Sequence, residues 1–167
     1  MNSKDRPRIK IQPTRFDIAV EVFAWTALAL LWVYVTMQYP NLPEIVPTHF
    51  GIGGKADAWG SKDSVFFGPA IATVLVIGMS ILQRYPYKFN YMEEITLENA
   101  ERQYAIGVRM IRVLKTCIAI LFIIIEYTTG AAAMQDDKVD MKWFFLGIFL
   151  LIQLPVFYFL TKMLNKK

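Results

Sequence analysis

Four apolar blocks of about 18 to 24 residues, roughly 16–39, 65–82, 113–134 and 143–164, dominate this chain, and each is long enough to cross a membrane. At ~1.5 Å rise per residue, such a block spans a hydrocarbon layer ~30 Å thick. Lipid offers no partner for a bare peptide group, so each block must close its hydrogen bonds internally as a helix. The 167 residues are 55% hydrophobic and 19% charged, whereas a soluble domain holds ~45–50% apolar and ~25% charged residues. A soluble enzyme, a disordered chain and a nucleic-acid module are excluded, and the net charge of +4 does not restore the last of these. The expected fold is an all-α integral membrane protein, a four-helix transmembrane bundle forming a single membrane domain over 1–167. The first block is not a cleaved signal. It is too long for that role, and Met37-Gln38-Tyr39-Pro40 is no small-residue cleavage site. The single cysteine, Cys117, excludes an internal disulfide.

The basic residues orient the bundle. Lys4, Arg6, Arg8, Lys10 and Arg15 precede the first block; Arg84, Lys88, Arg102, Arg109, Arg112 and Lys115 lie between the second and third; Lys162, Lys166 and Lys167 end the chain. These are fourteen of the eighteen lysines and arginines. The other two connections, about 40–64 and 135–142, hold only Lys55, Lys62, Lys138 and Lys142 beside six acids. The positive-inside rule then puts both termini and the middle connection in the cytoplasm of a bacterial cell, with the protein in its cytoplasmic (inner) membrane.

The outer motif loop, 40–64, looks folded. Pro40, Pro43 and Pro47 exclude helix and favour extended chain. Gly51, Gly53 and Gly54 permit a sharp reversal. Asp57 and Ser61 can bond backbone N–H groups, which predicts a capped helix start near 62–66. Leu42-Pro43, Pro47, His49-Phe50, Gly54, Asp57, Trp59-Gly60 and Ser61-Lys62 resemble the signature of the membrane domain of unknown function numbered 1648. That domain also occurs in Sdp-type toxin-immunity proteins. Asn90-Tyr91, Ile95-Thr96 and the run 98–104 are similar to the cytoplasmic stretch of its short four-helix members. Gly51 and Ala56 depart from the asparagine and proline the family often has there.

Pro47, His49, Phe50, Gly54, Asp57, Trp59, Gly60 and Lys62 form the outer candidate site, structural or ligand-binding. His49, the only histidine, has three open roles: orientation by Asp57 to hold the loop, recognition of a peptide or protein, or a mixed imidazole–carboxylate metal site with Glu44, Asp57 and Asp63. No metal ligand set, cofactor or catalytic residue is assigned, because no Ser–His–Asp order, CxxC, HExxH or phosphate loop is present. Gly51-x-Gly53-Gly54 is not a nucleotide fingerprint, with no strand expected before it and no helix after it at the needed spacing. Trp59 is expected at the lipid headgroups.

The cytoplasmic segment 84–112 reads as an amphipathic interfacial helix capped at Thr96, its stripe formed by Leu97, Ala100, Tyr104, Val108, Ile111 and Leu114. It anchors the third span at anionic headgroups or docks a cytoplasmic protein; nucleic acid is excluded. Within the spans, Glu126 is expected to pair with Thr73 and Gln153 in a hydrogen-bonded cluster, Gln153 alternatively serving the acceptor freed by Pro155. Asp17 and Glu21 should snorkel or pair with Arg15, and Gly68-x-x-x-Ala72, Gly78 and the run 130–133 offer close helix contacts. Besides the lipid bilayer, the expected partner is an envelope peptide or protein at the outer loop. The function expected is binding or regulation, of immunity or envelope-sensing type, and not enzymatic. The alternative is a proton-linked transporter subunit using Glu126, in which case a homodimer is favoured, and the least favoured reading is an intramembrane enzyme around His49 and Asp57.

Overall fold

The computed structural model describes residues 6–51, 55–134 and 141–165, with side chains in the last stretch from Leu146 onward. Gly54 and most of the second outer connection lie outside them. The chain is mostly helical: α1 (Arg15–Gln38), α2 (Phe67–Leu82), α3 (Ala100–Ala133) and α4 (Met141–Leu164). Among the described residues three helical segments are long and apolar enough to cross a membrane: Arg15–Asn41, Lys62–Leu82 and Leu146–Leu164. Their outward faces are apolar too, as at Val22, Phe23, Phe67, Val74, Leu154 and Phe157, which suits lipid rather than water.

The N-terminus of α1 is fixed by a capping box. Thr14 Oγ1 accepts from the Asp17 amide, and Asp17 returns a carboxylate oxygen to the Thr14 amide. α3 is the central element, with α1, α2 and α4 all packed against it. Its pairings run from Asp17–Arg109 to Gln38–Gly130 along α1, so these two helices are parallel. Ser80–Lys115 and Gly68–Glu126 make α2 antiparallel to α3, and bonds from Arg102 and Gln103 to the end of α4 do the same for that helix. Leu28, Leu31, Val35, Ala72 and Val76 form the core between the helices, and Val46 and Val65 extend it toward one end.

The all-α expectation needs one correction. Strands β1 (Ile45–Phe50) and β2 (Ala56–Ser61) form an antiparallel hairpin over that end. Prolines bar helix here, β-branched Ile45, Val46 and Thr48 favour extended backbone, and a two-stranded sheet leaves an edge where Pro47 forfeits no ladder bond. A strand therefore does precede Gly51, but another strand follows it, so the nucleotide reading stays excluded. The expected helix start at Lys62–Phe66 is a 3-10 turn whose cap, Ser61 Oγ, accepts from the Asp63 amide at 3.3 Å.

The segment 84–112 is not a separate interfacial helix. Its second half is continuous with the third apolar block in the 34 residues of α3, since no proline interrupts the run. Ala100, Tyr104 and Val108 are buried, while Leu97 is exposed. Ala100 and Tyr104 pack with Ile95 on Ile9, Ile11, Tyr87 and Tyr91, so the N-terminal tail and the connection after α2, not lipid, cover them. The continuous helix begins at Ala100, one turn after Thr96; across that turn Thr96 and Asn99 exchange side-chain bonds to each other's amides, and the Ala100 amide donates to the Thr96 carbonyl.

Candidate functional site

The hairpin is built by register. Pro47 faces Trp59 and His49 faces Ala58, with irregularities on either side of His49 that leave Thr48 and Asp57 without direct cross-strand partners. This local slip brings the His49 ring to the Asp57 carboxylate at 2.5 Å, and because a carboxylate only accepts, Nδ1–H is the donor. Both side chains are more than half exposed. A Cβ at Gly51 would stand 3.0 Å from Asp57 Oδ2, and one at Gly60 2.9 Å from the Thr48 methyl. These two glycines let the irregular strands close. At the base, Lys62 donates to Glu44 at 2.7 Å, Tyr39 donates to Asp63 at 2.5 Å, and the Lys62 amide donates to the Glu44 carbonyl. Trp59 is 56% exposed and Phe50 is partly buried.

The inner surface of the hairpin faces a cavity of about 340 Å³, within the range of small-ligand sites. β1 supplies Pro47 and Thr48, the start of α2 supplies Phe67 and Gly68, and α3 supplies Ile125, Glu126 and Thr129. Glu126 is only 7% exposed and makes no hydrogen bond among the described residues. Its carboxylate occupies the space over Gly68, where a Cβ would collide with it. The site thus offers a desolvated carboxylate, flanking hydroxyls and an apolar rim, a setting for a cationic or hydrogen-bond-donating group. Among the described residues no three histidine, cysteine or acidic side chains are grouped to hold a metal.

The expected Glu126–Thr73–Gln153 cluster does not form. Thr73 bonds the Pro69 carbonyl within its own helix and accepts from Trp32 Nε1, while Gln153 is exposed and bonds nothing among the described residues. Hydropathy depth placed these residues at one level but carried no information on helix rotation. Gly68 and Gly130 do make close contacts, Gly130 against the Gln38 amide, whereas nothing approaches Gly78.

Sequence reasoning also missed a buried charged network at the opposite end. Asp17 is not paired with Arg15; Arg109 grips both its oxygens at 2.8 and 3.0 Å. Lys115 is fully buried and donates to Glu21 and, at 2.9 Å, to Ser80. The available signal was complementary spacing: acids four apart on α1 against cations three apart on a parallel α3. Below this network burial pushes the Tyr91 and Tyr104 hydroxyls above their ordinary pKa.

Comparison with known proteins returns the domain of unknown function DUF1648 at residues 26–73. That segment holds much of α1, the hairpin and the start of α2, and so includes His49, Asp57, Gly68 and Thr73 but not Glu126. The chain is 30% identical over 147 residues to an uncharacterized protein of Archaeoglobus fulgidus, covering 80% of this chain and 79% of that relative. No solved structure matches.

Proposed function

The chain belongs to the DUF1648 family, and from that premise we propose that it is a multi-pass cytoplasmic-membrane protein that binds rather than catalyses, of immunity or envelope-sensing type. α3 is the fourth crossing. Its 34 residues extend about 51 Å, enough for a ~30 Å layer with the rest projecting beyond it. Both termini and the 83–99 connection face the cytoplasm, as the lysine and arginine distribution supports, and the hairpin faces out. The hairpin engages an envelope peptide or protein through Trp59 and the His49–Asp57 pair. The cavity beneath receives a cationic or donor group of that ligand at Glu126. The observation that carries this reading is the continuity of the two parts: Pro47 and Thr48 belong to the exposed hairpin and line the cavity that Glu126 floors.

The experiment replaces Trp59 with the photo-crosslinker p-benzoylphenylalanine in intact cells, beside a control at Val74 on the lipid-facing surface of α2. A discrete adduct from position 59 alone, diminished by Asp57→Ala, is expected. The same diffuse lipid pattern from both positions overturns the reading.

A second reading is favoured by one observation, that Glu126 is buried without a hydrogen-bond donor among the described residues. A proton-linked transporter subunit would use such a group. It predicts that proteoliposomes dissipate an imposed pH gradient and that Glu126→Gln stops them.

A further inference from the structure

At the end opposite the hairpin lies a second cavity, of about 370 Å³, with Lys10, Arg84 and Arg112 in its lining and no carboxylate. The three cations come from three separate segments: the tail before α1, the residues just after α2, and α3. Ile9 and Val108 add apolar wall, and Gln83 completes the polar side.

Arg112 is the residue that makes this a built site. Its side chain is 13% exposed, and it stands 3.5 Å from Asp17 and 3.6 Å from Glu21. Both carboxylates are already engaged, Asp17 by Arg109 and Thr14, Glu21 by Lys115 and by Trp25 Nε1 at 3.1 Å. Three cations therefore surround two carboxylates, and the buried Arg112 Nε, which faces Glu21 Oε2 at 3.6 Å, falls short of a hydrogen bond to it. Two carboxylates shared among three cations leave the Arg112 charge incompletely offset, so an anion beside it in the cavity is favoured. The Gln83 amide donates to Glu21, leaving its buried Oε1 without a donor. Lys10 and Arg84, both exposed at the rim, have no carboxylate partner among the described residues.

We propose that this cavity binds a phosphate ester. The phosphoryl oxygens accept from Arg112, Arg84 and Lys10, and a hydroxyl of the ester donates to Gln83 Oε1. Guanidinium groups suit this geometry because their N–H groups match phosphate oxygens in pairs. A cavity of about 370 Å³ exceeds what a bare phosphate fills, which leaves space for the esterified alcohol. Two sources share this chemistry, the headgroup of an anionic phospholipid and a soluble phosphate ester. The inference does not rest on the outward role of the hairpin.

The test uses the full chain purified in mild detergent. Phosphatidylglycerol is titrated in mixed micelles against phosphatidylcholine, and glycerol 3-phosphate against sodium chloride at equal ionic strength, followed by thermal midpoint and native mass spectrometry. The Lys10→Gln/Arg84→Gln pair keeps the buried network intact, and Arg15→Gln removes an exposed charge away from the cavity. The expected result is a retained one-to-one adduct and a raised midpoint, with affinity at least tenfold weaker in the double variant and unchanged in Arg15→Gln. A response to phosphatidylglycerol alone assigns the site to lipid; a response to glycerol 3-phosphate as well assigns it to the soluble ester. Loss of affinity in proportion to charge removed, equal per residue for Arg15→Gln, means diffuse electrostatics and overturns the proposal. So does the absence of binding by any probe.

Discussion

Gly68 and Glu126 compete for one volume, since the carboxylate lies where a side chain at 68 would begin. Gly68→Ala should therefore cost ~1–3 kcal/mol, the usual cost of overpacking. In a Glu126→Ala background the same change should cost little, and the cycle should give a coupling of at least ~0.5 kcal/mol. Thermal unfolding in detergent of the four proteins measures it, and additive costs would show that the two residues do not touch. Glu126→Gln should leave stability within ~1 kcal/mol, because no partner among the described residues loses a bond. Asp17 is the contrasting case. It is buried beneath Arg109 and Arg112, so Asp17→Asn leaves Arg109 without a carboxylate and Arg112 with Glu21 alone, and should destabilise by ~3–5 kcal/mol. An unchanged denaturation midpoint for Asp17→Asn would contradict the burial of that network. The His49–Asp57 pair is too exposed for such a penalty; surface pairs contribute at most ~1 kcal/mol.

At the level of elements, the hairpin is held to the bundle by Val46, fully buried among Leu42, Val65 and the α1 core. Val46→Ala should weaken this docking by ~1–3 kcal/mol. Limited proteolysis in detergent should then cut between residues 50 and 56 faster, while cleavage at 83–99 is unchanged. Equal acceleration at both places would indicate global rather than local loosening. The three apolar helices were legible within about two residues because hydropathy over a bilayer-length window is a strong signal. The Ser61 cap was legible from residue type alone. The hairpin was not, because Pro47 argues against a strand in a larger sheet and only the absence of an outer neighbour admits it. Nor was α3 legible as one helix, since its polar start and apolar end read as separate segments while its backbone has no reason to break. The Glu126 cavity depended on which way the helices turn, which depth along the sequence does not encode.

For the whole molecule the governing expectation is orientation. In a Cys117→Ser background, Lys55→Cys should react with an impermeant maleimide in intact cells and Asn99→Cys only after lysis. Cys117 is buried and the sole cysteine, so its replacement removes background reactivity without touching either cavity. The reverse labelling pattern would invert the protein in the membrane.

Both cavities hang on α3, which supplies Glu126 to one and Arg112 to the other, fourteen residues or roughly 21 Å apart along an unbroken helix. A slip or rotation of that helix changes the two together. Thermodynamic reciprocity then applies: whatever factor an occupant of one cavity imposes on affinity at the other, the second imposes on the first by the same factor.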